Sequence, residues 1–123
     1  MNNLEFAMKM QERTMTFAIN IVRFFVKLPR REEARVLGKQ VLRAGTSVAA
    51  NYRAVCRAKS DADFISKMGT VVEEADESTF WLELMENAGV SSSASLQQLK
   101  TEATELLRIL STSRNTAKRN ACR

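Results

Sequence analysis

The stretch from Gln40 to Asn51, QVLRAGTSVAAN, limits most strongly what this chain can fold into. Five of its twelve residues are Ala, Gly or Ser, and small side chains repeated along a helix let neighbouring helices approach closely. The stretch therefore predicts a helix at the centre of a helical bundle. One face of this helix is apolar and extends beyond the stretch on both sides: Leu37, Val41, Ala44, Val48 and Val55.

The whole chain favours an all-α fold. It has 123 residues, enough for one domain with a real core, and it contains only four Gly and one Pro. Short connections suit antiparallel neighbours, so we predict an antiparallel up-and-down four-helix bundle over residues 1–118, followed by a basic tail at 119–123. The predicted helices span about Leu4 to Lys27, Glu32 to the region of Lys59, Ser60 to Ala88, and Leu96 to Ser113.

Local signals mark the helix ends. Leu28-Pro29 ends the first helix, with Pro29 expected in the first turn of the second. Ser60 is a predicted N-cap with Asp63 as its capping-box partner. Residues 114–123, with four positive charges and no large apolar side chain, predict frayed helix or disorder, either merely solubilising or in contact with RNA.

The first helix is amphipathic. Its predicted core face carries Phe6, Met10, Phe17, Ile21 and Phe24 at three-, four- and seven-residue spacings. The same apolar face could instead lie on a membrane surface, but a bundle needs it as core. The side assigned to solvent holds Lys9, Arg13, Asn20, Arg23 and Lys27.

Two features of the second helix require partners. Gly38 and Gly45 each cost about 1 kcal/mol of helix propensity, which is best explained by close helix packing at those points. Gln40, Ser47 and Asn51 form a polar line at the edge of the apolar face, and they need hydrogen bonds if buried. They either bond helix ends within the bundle or line a small-molecule site.

Charge is distributed unevenly. Residues 30–60 hold eight basic and two acidic side chains, a net +6, whereas residues 61–90 hold one basic and eight acidic, a net −7. On the second helix, five basic residues lie within about 80° of one another. This basic face is either solvated or salt-bridged, or it contacts phosphate backbones or an acidic partner. Its members are Arg35, Lys39, Arg43, Arg53 and Arg57.

The second half of the third helix is apolar on two sides. Its core stripe continues through Leu82, while an aromatic and acidic face projects elsewhere. A helix apolar on two sides is covered on two sides, and we predict that a subunit interface supplies the second cover, with partial exposure or cover by a tail as alternatives. The predicted interface residues are Glu74, Glu77, Phe80, Trp81 and Leu84.

Catalytic chemistry has little support in this chain. It has no His, no Gly-rich phosphate loop and no nucleophile elbow. A carboxylate metal site from the acids at 73–77 is far less favoured than acidic pairing. We therefore predict no enzyme activity, no catalytic residue, no metal and no cofactor.

The cysteine content and the hydropathy of the chain predict its cellular compartment. Cys56 and Cys122 form no disulfide framework, which favours a reducing cytoplasm. The N-terminus lacks the pattern of a signal peptide, and the most apolar run, residues 17–26, is too short to span a membrane. We expect a cytoplasmic protein without membrane contact.

A family resemblance rests on the second helix. The pattern Gln40-x-x-Arg43-Ala44-x-x-Ser47-Val48-x-x-Asn51, preceded by Leu28-Pro29 and followed by Phe64, Ala75 and Ser78, resembles the four helix bundle protein family, also called 23S rRNA intervening-sequence proteins. Two departures mark a divergent branch. Residues 52–55 are Tyr-Arg-Ala-Val where the family usually has Ile-Ala-Glu-Gly, and Glu77-Ser78 precedes Trp81 where the family tends to have Gly-Ser followed by Glu.

The resemblance implies two functions. Members of the family look like bundles that assemble as cyclic homopentamers, which implies a structural or interaction protein whose partner is itself. The bundle is also similar to the accessory protein of diversity-generating retroelements, which implies binding of RNA or DNA. Both functions could hold in one ring, because a ring repeats any basic patch several times.

Overall fold

The computed structural model describes residues 3–122, and it consists of four long helices joined by short connections. Each helix packs against the next along the chain, and the fourth returns against the first. Within the described range, the backbones of helices at opposite corners do not approach each other closely. The predicted up-and-down four-helix bundle is thus confirmed. The helices are α1 (Asn3–Val26), α2 (Glu32–Val55), α3 (Asp61–Asn87) and α4 (Ala94–Ala121).

The core runs along the bundle axis and draws on all four helices. Two buried hydroxyl groups bond within their own helices, Thr14 Oγ1 to Met10 O and Ser78 Oγ to Glu74 O, both at 2.8 Å. These bonds satisfy the hydroxyls without a partner on another helix. The largest fully buried side chains include Phe17, Ile21, Met68, Leu82, Leu106 and Leu110.

Most helix ends follow their local signals. Ser60 Oγ accepts a hydrogen bond from Asp63 N, and the Asp63 carboxylate accepts one from Lys59 N, both at 3.0 Å. The first bond confirms Ser60 as the N-cap of α3, while the Asp63 carboxylate bonds the residue before the cap rather than the Ser60 N–H of a capping box. Beyond the other end of α3, Gly89 has φ of +75°, a conformation that glycine adopts without strain.

The prediction that Pro29 lies in the first turn of α2 was wrong. Pro29 lies in the connection, and the extended residue Arg31 immediately precedes the first turn. Leu28 packs over α2, where a Cβ on Gly38 would lie 2.5 Å from Leu28 Cδ1. Because Leu28 packs against α2, the residues between Leu28 and Glu32 form the turn that leads into the helix.

Both internal glycines of α2 lie against α1. A Cβ on Gly45 would lie 2.7 Å from Ile21 Cγ1, as close as the clash at Gly38. The prediction that these glycines mark close helix packing is confirmed.

The end of α4 was also predicted wrongly. The helix continues past Ser113 to Ala121, so residues 119–121, assigned to a basic tail, belong to it here, and Arg123 lies outside the described residues. Arg114 anchors this segment, because its Nε donates to Ile65 O at 3.0 Å and its guanidinium covers Gly69. A tertiary contact thus extends the helix beyond its last large apolar residues.

Candidate interaction surfaces

An ion-pair cluster joins the predicted acidic and basic faces within one chain. Arg43 Nη1 lies 3.2 Å from Glu74 Oε2, and Arg43 Nη2 lies 2.7 Å from Glu77 Oε1. The pairs link α2 to α3. Three of the predicted surface residues, Arg43, Glu74 and Glu77, therefore have partners within their own chain.

The aromatic residues of α3 differ in exposure. Phe80 is 53% exposed, whereas Trp81 is half-buried and packs against the core. Their rings meet edge to face with centroids 5.0 Å apart, so Trp81 supports one side of Phe80. Trp81 Nε1 is enclosed and has no acceptor among residues 3–122. Leu84 is half-buried, which leaves Phe80 as the apolar side chain that projects most from this face.

The rest of the basic face is open to solvent. Arg35 lies over the Phe25 ring, with its guanidinium carbon 5.9 Å from the ring centroid. Lys39, Arg53 and Arg57 are exposed and form no ion pair within the described chain. This part of α2 therefore presents uncompensated positive charge.

The outer face of α3 presents the opposite charge. Glu73, Asp76 and Glu83 lie around Phe80 on the helix, are exposed, and form no ion pair in the part of the chain that the structure describes. The bundle thus keeps a free acidic face on α3 and a free basic face on α2, separated by the Arg43 pairs.

A second apolar surface, which the sequence interpretation missed, runs along the outside of α1. Spacings of three, four and seven residues place its six members within about 60° of one another on a helical wheel, nearly opposite the core face. Leu4 and Val26, at the two ends of this surface, are its most exposed side chains, at 70% and 75%. This spacing is visible in the sequence, but the sequence prediction assigns only one apolar face to α1. This α1 stripe comprises Leu4, Met8, Met15, Ile19, Val22 and Val26.

A surface groove of about 510 Å³ separates the α1 stripe from the basic face. Small side chains keep it open, chiefly Ala18 on α1 and Ala49 and Ala50 on α2. Met15 of the stripe lies on one side and Arg53 of the basic face on the other. The groove is therefore mostly apolar, with Gln11 and Thr46 also in its lining, and it is positively charged at its rim.

The polar line of α2 forms local bonds. Asn51 Nδ2 donates to Ser47 O at 2.8 Å, and Gln40 Oε1 accepts from Arg43 Nε at 3.2 Å. All three line residues are half-buried. The side chains of Gln40 and Asn51 therefore bond within α2 rather than to helix ends elsewhere in the bundle.

Two further observations concern metals and membranes. Among residues 3–122, no three carboxylate or thiol side chains come together in a way that could hold a metal ion. None of the helices in that range combines the length and apolarity needed to cross a bilayer.

The architecture and its surfaces define a small antiparallel helical-bundle protein. The chain belongs to the 23S rRNA-intervening sequence protein family, whose profile matches residues 7–112. It is also similar to a protein of unknown function from the S23 ribosomal protein family of Bacteroides thetaiotaomicron VPI-5482. That crystal structure is 30% identical, superposes with a TM-score of 0.81, and aligns over 89% of this chain and 97% of its own. No match was found among curated proteins.

Proposed function

We propose that this chain is a non-enzymatic structural or interaction protein that assembles into a homo-oligomeric ring. The observation that carries the proposal is the α1 stripe, because six exposed apolar side chains on one helix face, interrupted only by Gln11 and Glu12, are typical of an interaction surface. Phe80 adds a second apolar site on α3. Two different faces on one subunit suit a head-to-tail contact that closes a ring, and the family resemblance implies a ring of five.

The test is the absolute mass in solution, measured by light scattering on a sizing column at low and high salt. We expect a salt-resistant mass of about five times the 13.9 kDa subunit, because apolar contacts are not screened by ions. A monomer at both salt concentrations would contradict the proposal.

Two adjacent residues of α1 provide a matched pair of variants. Ile19 lies on the stripe, whereas Asn20 is exposed on the polar side. Ile19→Lys should dissociate the oligomer by placing a charge in the apolar contact, while Asn20→Lys should leave its mass unchanged. Circular dichroism should show equal helicity for both, since neither side chain belongs to the core.

Nucleic-acid binding, with RNA as the first target, is a second candidate. It is supported by the exposed and unpaired cations Lys39, Arg53 and Arg57, and by the resemblance to a retroelement accessory factor. The test is RNA affinity over a salt series for Arg53→Glu combined with Arg57→Glu. If these residues contact phosphates, binding weakens and the salt slope falls by about one per lost contact. Lys9→Glu on the polar side of α1 is the control, because Lys9 is exposed and lies outside both basic segments. Unchanged affinity would contradict this function.

The compartment is proposed to be the cytoplasm. Both cysteines, Cys56 and Cys122, are free thiols at exposed positions, which suits a reducing environment.

A further inference from the structure

We propose that the α1–α2 groove of one copy receives Phe80 from α3 of a second copy. The inference rests on the proposed homo-oligomer and assigns the two halves of its repeated contact. Two properties of the surface support it: shape and charge.

Shape favours an aromatic side chain in the groove. Ala18, Ala49 and Ala50 leave an open volume of about 510 Å³, and alanines offer an apolar surface without filling it. Phe80 is the only exposed aromatic side chain among residues 3–122. The Phe80 and Trp81 rings already meet edge to face, so part of the ordering of Phe80 precedes binding. A projecting ring and a shallow apolar groove complement each other.

Charge favours the same pairing. Phe80 lies among Glu73, Asp76 and Glu83, which have no ion-pair partner in the described part of their own chain. The groove is bordered by the basic face of α2, with Arg53 in its lining. Insertion of Phe80 therefore brings an acidic face onto a basic one, which fixes the orientation of the two copies.

Charge also disfavours the alternatives in which like surfaces meet. Two grooves face to face would bring Lys39, Arg53 and Arg57 of both copies together, and two α3 faces would do the same with carboxylates. Like charges across an interface are costly. The contact is therefore between unlike faces, each copy giving Phe80 to one neighbour and its groove to another.

Cross-linking between marked chains tests this contact directly. Cys56 and Cys122 are replaced by Ser, and a single new cysteine is introduced into each chain. One chain carries Ala50→Cys in the groove, and the other carries Glu83→Cys, one turn from Phe80 on the same face. After mixing, a short bifunctional thiol reagent should join the two kinds of chain. Neither chain alone should form a covalent dimer. Ala50→Cys mixed with Thr104→Cys, an exposed site on α4, is the control and should give no product.

The outcomes separate the inference from the proposed function. An oligomeric mass without a covalent dimer in the mixture overturns the inference and leaves the oligomer standing. Glu83→Cys cross-linking to itself also overturns it, because that product requires α3 against α3. A monomeric mass for the unmodified protein overturns both. As an independent test, Phe80→Ser should weaken self-association about tenfold or more with unchanged helicity. An unchanged association constant would contradict the role of Phe80.

Discussion

Gly38 and Gly45 both face α1, but their neighbours differ in freedom to move. A methyl group on Gly45 would meet Ile21, which is fully buried, whereas one on Gly38 would meet the end of the half-buried Leu28 side chain. Gly45→Ala should lower the free energy of unfolding by about 1–3 kcal/mol through overpacking. Gly38→Ala should be close to neutral, because a gain of about 1 kcal/mol in helix propensity offsets the shift of Leu28. Urea unfolding followed by Trp81 fluorescence measures both, and equal losses would contradict this account.

Ionisation of the Tyr52 phenol reports the loss of folding stability at alkaline pH. It is the only tyrosine of the chain and is 3% exposed. Burial raises the pKa of its phenol well above the ordinary value. Above about pH 10, the unfolded chain loses a proton that the native chain keeps, so the free energy of unfolding falls as the pH rises. Tyrosinate absorbance should appear only together with unfolding. Ionisation near pH 10 in the folded protein would be inconsistent with this burial, and Tyr52→Phe provides the blank.

At the scale of single elements, α4 shows how one side chain extends a helix. Arg114→Ala removes the hydrogen bond to Ile65 O and the cover over Gly69. We expect residues 114–121 to fray, with a loss of about 1 kcal/mol in local stability. Amide hydrogen exchange should accelerate in this segment and stay unchanged in the core. Arg119→Ala is the control, because Arg119 contacts only Thr116 of its own helix among the described side chains. Similar exchange in both variants would refute the anchoring role.

The elements also show which features can be predicted from sequence. The Ser60 cap and the core stripe of α3 depend on residues within one helix, and both were predictable. The end of α4 depends on Ile65 of another helix, and the position of Pro29 depends on Leu28 packing over α2. The pairing of Glu74 and Glu77 with Arg43 likewise depends on how α3 is rotated against α2. Such contacts leave no periodic signal in the sequence.

The candidate surfaces could be predicted from the sequence to a different extent than the helix ends. The basic and acidic faces could be located from helical spacing alone. The α1 stripe followed the same spacing but was overlooked, because one apolar face already satisfied the bundle. The groove could not be predicted, since it arises from the way Ala18 of α1 and Ala49 of α2 lie side by side.

On the scale of the whole molecule, charge sets the acid limit of stability. Hydrogen bonds from a lysine or arginine side chain lower the pKa of the Asp63, Glu86 and Glu105 carboxyls. A carboxyl with a lower pKa in the folded state stabilises that state above the ordinary range of about pH 4. This stability is lost as the pH falls through the folded pKa values. Urea unfolding at successively lower pH should show the decline, with a smaller effect in high salt because these half-buried groups lie at the surface, where ions screen their pairs. Constant stability into acid would contradict it.

The α1 stripe and Phe80 lie on helices at opposite corners of the bundle, and both are outside the core. A substitution in either one leaves the altered chain able to fold, so that chain still competes with normal copies for a place in the proposed ring. One altered subunit breaks one of the contacts that close the ring. A mutant allele of this kind would therefore be dominant, since a minority of altered chains would disable rings in excess of their own number.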